Sequence, residues 1–135
     1  AGEPTKPDLL LKIDIDGGEW ETFANFPTET MKRFRQIVCE FHWCSRLIDQ
    51  AYYSQCLRAI TNIREQFFPT HLHANNFVPF ANVMGVAIPE VFEVTFLNKE
   101  LYRPAQRQNC APTDVDNPNN PEAPDLYLGS PFQIY

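Results

Sequence analysis

The chain has 135 residues, which is enough for one small domain, and its 44% hydrophobic and 13% aromatic content supports a packed core. A net charge of −6, with no cluster of Lys and Arg, argues against nucleic-acid binding, which depends on neutralising phosphates. No apolar run approaches the roughly 18 residues of a membrane span, so we expect no span in this segment.

The first predicted strand spans residues 9–15, a short apolar run that ends in acids and then in Gly17-Gly18. Continuous hydrophobicity indicates a buried parallel strand, and the glycines allow a sharp turn at its carboxyl end. A short helix is expected next, with Thr28 as its N-cap and Glu29 in its first turn.

Residues 36–42 predict a second strand, which is again apolar and then abruptly polar. About 20 residues separate the two strands, enough for a right-handed crossover that contains a helix. The clearest helix follows, with Ser45 as its expected N-cap and Asp49 in its first turn, and it runs to about Gln66. Its apolar residues recur at three- and four-residue spacing; they are Tyr53, Cys56, Leu57, Ile60, Ile63 and Phe67.

Three further segments complete the predicted fold. Residues 70–73 predict a third strand, residues 77–89 a connection, and residues 91–97 a fourth strand, antiparallel and at the end of the sheet. Pro and Asn dominate from residue 102 onward, which excludes helix or central strand there. We therefore predict a domain at 1–101 and an extended tail at 102–135. The tail is expected to drape over the domain through Leu126, Tyr127, Leu128 and Phe132.

This order of elements predicts an α/β domain with a mostly parallel sheet. The sheet is only a partial Rossmann-like unit, because no Gly-rich strand-to-helix turn of the G-x-G type occurs in the chain. The cofactor-binding end of such a unit is therefore missing from this sequence. The first strand would then have an unpaired edge, which invites self-association.

The N-terminus and the cysteines bear on the cellular compartment. No signal peptide is visible, and the first residue is Ala1 rather than Met, so we expect a processed or truncated chain. The compartment is left open, with the secretory pathway included. Cys39 lies in an apolar run and is expected to be a buried thiol. Cys44, Cys56 and Cys110 can include one disulfide if the protein is secreted, and the four cysteines match no zinc-binding spacing.

Polar residues follow each of the three predicted parallel strands. Ligands of open α/β sheets bind beyond the carboxyl ends of such strands, so these residues are the candidate site. They are Asp14, Asp16 and Glu19 after the first strand, Glu40 and His42 after the second, and His71, His73, Asn75 and Asn76 after the third.

Each group has a structural and a functional interpretation. In the structural interpretation, Asp14 or Asp16 caps backbone N–H groups of the turn. In the functional interpretation, the carboxylate lines a cleft, where it stabilises a positive sulfonium or holds a histidine in one tautomer. Strand alternation places Glu40 and His42 on one face. They form either a hydrogen-bonded pair without catalytic duty, or a base or substrate anchor, His42, that is oriented by Glu40.

His71 and His73 also share one face of their strand. With Glu40 and His42 they could complete a metal shell, although we favour contacts with substrate. Asn75-Asn76 is expected to form a turn, and Trp20 and Trp43 either wall a pocket or pack at an edge. We expect the side chains of Glu40, His42 and His73 to converge on one side of the carboxyl edge.

A resemblance to a known family begins in residues 10–21, which read LLKIDIDGGEWE. This segment resembles the K-I-D-I/V-E-G-x-E signature that follows the fourth strand in FkbM-family methyltransferases, with Asp16 in place of the more usual Glu. Residues 36–42 look like the fifth strand of that family, in particular of a methyltransferase-like branch abundant in nematodes. Residues 71–76, 89–96 and 116–119 are similar to that branch as well, so that the resemblance covers roughly residues 8–130.

The resemblance implies a seven-stranded methyltransferase sheet of which this chain supplies strands four to seven. It also implies S-adenosylmethionine as the methyl donor and O-methylation of a small-molecule or glycan acceptor. Carried over by position, the catalytic residues would be His42, Glu40 and Asp14, the cofactor-side residues Asp16 and Glu19, and the substrate-side residues His73, Asn75 and Trp43.

The main cofactor-binding segments of the family precede this chain. We therefore expect the 135-residue chain alone to bind S-adenosylmethionine poorly and to be inactive. Two alternatives stay open: a metal-dependent enzyme that uses the His and Glu residues, and a non-catalytic interaction domain that kept the fold.

Overall fold

A four-stranded mixed sheet with helices packed against it forms the centre of the protein. The structure is a computed structural model that describes residues 6–104 and 111–129. Along the chain the elements are β1 (Leu9–Ile13), α1 (Glu19–Ala24), α2 (Thr28–Met31), β2 (Phe34–Phe41), a 3₁₀ helix (Cys44–Ile48), α3 (Gln50–Gln66), β3 (Phe67–Ala74), β4 (Phe80–Val83), β5 (Val86–Pro89) and β6 (Phe92–Asn98). The predicted α/β class is therefore confirmed.

The sheet has the order β1-β2-β6-β3. β1 pairs with β2 in parallel, as predicted, and β6 runs antiparallel to both β2 and β3. β6 is antiparallel as expected, but it lies between two strands instead of at the end of the sheet. Buried side chains alternate along it, which suits a strand with two neighbours, yet alternation does not specify which strands those neighbours are.

β1 is an edge strand and is less buried than its sequence indicates. Ile13 is buried, whereas Leu10 is 59% exposed and Leu9 is also exposed. The prediction of a fully buried strand was wrong because β1 has a neighbour on one side only among the described residues.

Two predicted helix starts are shifted. α2 begins at Thr28 itself, after Pro27, and has no side-chain cap. α3 begins at Gln50, and its N-cap is Asp49, whose side chain accepts a hydrogen bond from the backbone of Tyr52 at 2.8 Å. Ser45, the predicted cap, lies in the 3₁₀ helix instead.

Ser45 is occupied by a long-range contact that no local pattern reveals. Its hydroxyl and its backbone N–H both bind the carboxylate of Glu90, at 2.7 and 2.6 Å. The buried face of α3 is formed by Tyr52, Cys56, Ala59 and Ile63. Two residues of the predicted apolar pattern, Tyr53 and Leu57, are exposed.

The third strand and the segment after it differ from their predicted forms. β3 begins at Phe67 and contains Pro69, where its register with β6 shifts, so that a proline is tolerated within this edge strand. The predicted connection at 77–89 is a hairpin formed by β4 and β5. Met84 and Gly85 make its two-residue turn with positive φ angles of 53° and 88°, which Gly adopts easily.

Aromatic rings fill much of the core between the sheet and the helices. Trp20 of α1 stacks on Phe41 of β2 with ring centroids 4.2 Å apart, and Phe92 and Phe96 of β6 pack against Phe41. Cys39, Cys44 and Cys56 are free and buried, as predicted for Cys39, and Cys110 lies outside the described residues. The disulfide expectation stays a prediction only where it involves Cys110.

The described part of the tail, residues 111–129, contains neither helix nor strand, as predicted. It still packs on the domain, because Ala111 and Leu128 are buried and are joined by a 2.8 Å backbone hydrogen bond. Leu126 packs against the core while Tyr127 is exposed, and Phe132 lies outside the described residues. Among the residues with described positions, none of the helices is long and apolar enough to cross a membrane.

Candidate functional site

The candidate site lies at the carboxyl edge of β1 and β2. Asp14 and Asp16 follow β1, Glu19 begins α1, Glu40 is near the end of β2, and His42 follows that strand. Because β1 and β2 are parallel, their carboxyl ends meet at the same edge and bring these side chains together. We call these five residues the acid–histidine cluster.

Glu19 is fully buried and uses both carboxylate oxygens. Its Oε1 accepts from the backbone N–H of Ile15 at 2.8 Å, and its Oε2 accepts from Gly17 at 3.0 Å. Oε1 also lies 3.1 Å from Nδ1 of His42. Glu19 therefore fixes the turn after β1 and orients the imidazole ring.

The contact with Glu19 determines the tautomer of His42. A carboxylate can only accept a hydrogen bond, so Nδ1 carries the hydrogen and Nε2 of the neutral ring carries a lone pair. Nε2 faces Asp14 at 3.8 Å and Asp16 and Glu40 at 3.9 Å each. These separations are too long for hydrogen bonds.

Sequence reasoning assigned the orienting role to Glu40, and the structure gives it to Glu19. Twenty-three residues separate Glu19 from His42, and strand alternation relates Glu40 to His42 only. Glu40 instead accepts a 2.7 Å hydrogen bond from Nδ2 of Asn75. Burial raises the pKa of the Glu40 carboxyl, and the neighbouring Asp14 raises it further. The hydrogen bond from Asn75 lowers this pKa but does not offset the increase.

The main chain of His42 is held by two side chains. Nε1 of Trp20 donates to the His42 carbonyl at 2.8 Å, and the hydroxyl of Tyr52 donates to the same oxygen at 3.1 Å. Trp20 is thus a buried packing residue that supports the site from below.

Trp43 borders the cluster on its solvent side. Its indole Nε1 donates to the backbone carbonyl of Asp16 at 3.0 Å, and the side chain is partly exposed. The ring packs against Gly17, which has a φ of +107° and where an added Cβ would lie 2.3 Å from the indole. Glycine is therefore required at this position, both for its backbone angle and for the space that Trp43 fills.

His71 and His73 face the tail. Nε2 of His71 lies 2.9 Å from Asp116, and Nε2 of His73 lies 2.9 Å from Asp125. His73 is buried, and its Nδ1 is 3.9 Å from Glu93. Hydrogen bonds from Thr113 and His71 outweigh burial and hold the pKa of Asp116 below its usual value.

The predicted shared site is thus assembled in part. His42 and Glu40 lie together, and Asn75 reaches Glu40, while the two other histidines bind carboxylates of the tail. The sequence suggested a metal shell formed by Glu40, His42, His71 and His73. These contacts do not match it, because His71 and His73 bind carboxylates of the tail, which lie 45 and 52 residues further along the chain.

Two of the cavities formed by the described residues lie outside the cluster. An apolar cavity of about 230 Å³ sits beneath the β4–β5 hairpin. It is lined by Trp20, Cys44, Leu47, Leu72, Ile88, Pro89 and Phe92. An open pocket of about 380 Å³ beside α1 and α3 contains none of the predicted site residues.

Comparison with protein-family models, with curated proteins and with solved structures gives no significant match. Function is therefore inferred from the residues of the cluster and from the sequence resemblance.

Proposed function

We propose that this chain is the acceptor-side half of an S-adenosylmethionine-dependent O-methyltransferase of the FkbM type. The observation that carries the proposal is the acid–histidine cluster, which lies at the sheet edge where open α/β folds bind ligands. Its residues belong to the two segments, 10–21 and 36–42, that carry the family resemblance.

The charge of the cluster suits the proposed cofactor. S-adenosylmethionine supplies a methyl group that is already activated on a positive sulfonium. Asp14 and Asp16 can attract that charge, because their side chains are 44% and 95% exposed and reach solvent. Glu19, predicted on the cofactor side, is fully buried and binds the backbone and His42, so we assign it to positioning.

His42 is the proposed base when the acceptor is a hydroxyl. Its Nε2 lone pair faces the cluster and can take the hydroxyl proton, while Glu19 stabilises the resulting imidazolium through Nδ1. Most of the rate enhancement would come from aligning the acceptor with the methyl group. Asp14 and Glu40 approach Nε2 of His42, and Trp43 binds the neighbouring Asp16 carbonyl, so we propose that these three residues border the acceptor.

The test is methyl transfer by the gene product that carries this chain, with labelled S-adenosylmethionine and hydroxylated small-molecule or glycan acceptors. His42→Gln should lower kcat by about 10²- to 10⁴-fold while cofactor affinity is unchanged. Glu21→Gln, an exposed acid of α1, is the matched control and should behave as wild type. Unaltered kcat in a folded His42→Gln protein would exclude the proposed base.

A measurement of cofactor binding distinguishes the proposed enzyme from the alternative, a non-catalytic interaction domain. We expect no appreciable binding of S-adenosylmethionine by the 135-residue chain in isothermal titration, because the Gly-rich turn is absent from its sequence. Micromolar binding by this chain would contradict that expectation. A gene product that carries the chain and still fails to bind S-adenosylmethionine would favour an interaction domain.

A further inference from the structure

The side chains of Asp14, Asp16 and His42 enclose a space that suits a cation. One ligand atom from each lies within 4.8 Å of the other two, and none of these contacts is a hydrogen bond. We propose that these three residues bind a divalent first-row metal ion.

The buried imidazole of His42 distinguishes this site from an ordinary acidic surface. The residue is only 8% exposed, and among residues 6–104 and 111–129 its Nε2 has no hydrogen-bond partner while it points at three carboxylates. A lone pair aimed at negative charge is unfavourable, so either a proton or a metal ion between Nε2 and the carboxylates would stabilise this arrangement. A metal ion in that space would satisfy Nε2 and the carboxylates at once.

The distances fit coordination. Ligand bonds of about 2.0–2.2 Å place two ligand atoms about 3 Å apart in adjacent positions and about 4.3 Å apart in opposite positions. Nε2 lies 3.8 Å from Asp14 and 3.9 Å from Asp16, inside this range. Asp16 is at the surface, so its carboxylate can move the few tenths of an ångström that closure requires.

Glu19 supplies the support that a ligating histidine needs. Histidines that bind metals usually donate their other ring N–H to a carboxylate, which fixes the tautomer and the ring orientation. Nδ1 of His42 makes this contact with the fully buried Glu19 at 3.1 Å. Imidazole with two carboxylates favours Mn²⁺ or Zn²⁺ over Mg²⁺, with Zn²⁺ the tighter of the two.

Three protein ligands leave coordination positions open toward solvent, on the side of Asp14 and Asp16. A metal ion there would replace Nε2 of His42 as the group that activates the acceptor hydroxyl, by lowering the pKa of that hydroxyl. It would also neutralise Asp14 and Asp16, so the attraction of these carboxylates for the sulfonium belongs to the metal-free site. This catalytic role rests on the proposed methyl transfer, whereas binding of the metal does not.

Mn²⁺ is the probe, because free Mn²⁺ is measured directly by electron paramagnetic resonance. The metal-free gene product that carries this chain is titrated without S-adenosylmethionine, and the fold is checked by circular dichroism. We expect one Mn²⁺ more per protein than in Asp14→Asn/Asp16→Asn, and at least a roughly tenfold loss of affinity in Asp16→Asn. Glu21→Gln, the matched exposed acid, should bind as wild type.

Asp16 is exposed, so its substitution leaves the fold intact and gives a clear result. Equal Mn²⁺ binding by wild type and the double variant, or no binding by folded wild type at millimolar Mn²⁺, would overturn the proposal. Metal binding without methyl transfer would support the site and count against the proposed function. Methyl transfer that is unaffected by chelation, in a protein that binds no Mn²⁺, would support the proposed function and count against the metal site.

Discussion

Glu19 has no exposed surface, yet its carboxylate accepts hydrogen bonds from two backbone N–H groups and contacts Nδ1 of His42. Buried charge is tolerated here because each oxygen has a partner. The turn after β1 and the ring of His42 therefore depend on one side chain. Sequence spacing alone places Glu19 in the first turn of α1, where an acid is favourable for another reason, the helix dipole.

We expect Glu19→Gln to lower the free energy of unfolding by about 1.5–3 kcal/mol, because hydrogen bonds to a charged acceptor are lost or weakened. Urea denaturation measures the change. Glu21→Gln, in the same helix but exposed, should stay within about 0.5 kcal/mol of wild type. Equal stability of the two variants would show that Glu19 does not hold the turn.

The cysteines of the core give a second prediction at the scale of residues. Burial raises the pKa of Cys44 to about 12 and that of Cys56 to about 11, and it raises the pKa of Cys39 further. The reactive thiolate is therefore scarce at pH 8 and increases only as the pH approaches these values.

Alkylation by iodoacetamide at pH 8, followed site by site with mass spectrometry, should be at least about a hundredfold slower in native protein than in urea, least slowed at Cys56 and most slowed at Cys39. Rapid labelling of Cys44 in the native state would mean that the 3₁₀ helix opens readily. Cys39, in the central strand β2, is the internal reference for complete protection.

At the scale of elements, the tail is attached to the domain by polar contacts to β3 and to the turn after it. Nδ2 of Asn76 lies within 2.9–3.2 Å of the carbonyl oxygens of Asn120, Ala123 and Pro124, among which its two hydrogens are shared, and its Oδ1 accepts from the Asn120 N–H. The sequence predicted Asn76 as a turn residue and as one of the polar residues of the candidate site. Nothing local indicates contacts with residues more than 40 positions away.

Asn76→Ala should release the tail without unfolding the sheet, because part-buried backbone groups of the tail lose their side-chain partner. Hydrogen exchange should rise in residues 111–129 and stay unchanged in β2 and β6. Asn82→Ala, in the turn region of the hairpin, is the matched control and should leave exchange of the tail as it is. Unchanged protection of the tail in Asn76→Ala would show that burial of Ala111 and Leu128 is sufficient to hold it.

At the scale of the whole molecule, the unpaired edge of β1 is the feature that bears most on self-association. Leu10 is 59% exposed on this strand, and β1 has no partner on its outer side among the described residues. Exposed apolar edge strands pair with other chains. Self-association of the chain through β1 therefore remains our prediction.

Leu10→Lys should shift sedimentation of the 135-residue chain toward monomer, because a charged side chain on an edge strand opposes pairing. Leu57→Lys, at a similarly exposed position on α3, changes charge equally and should not affect association through the edge. Association that persists in Leu10→Lys but not in Leu57→Lys would locate the contact on the helix instead.

The sequence by itself determined the α/β class, the parallel pair β1 and β2, and the meeting of Asp14, Glu40 and His42 at one edge. Periodicity and abrupt polarity at strand ends are local features, and two successive parallel strands necessarily share their carboxyl edge. The lack of helix and strand in residues 111–129 was likewise predictable, because the many Pro and Asn residues there exclude regular structure.

Only the tertiary structure decided which partners the site residues have. The contact of Glu19 with His42, the binding of His73 to Asp125 and the insertion of β6 between β2 and β3 all join distant parts of the chain. Several carboxylates and strands are locally equivalent candidates for each pairing, and packing of the whole core selects among them. The propensities that form each element therefore do not encode these pairings.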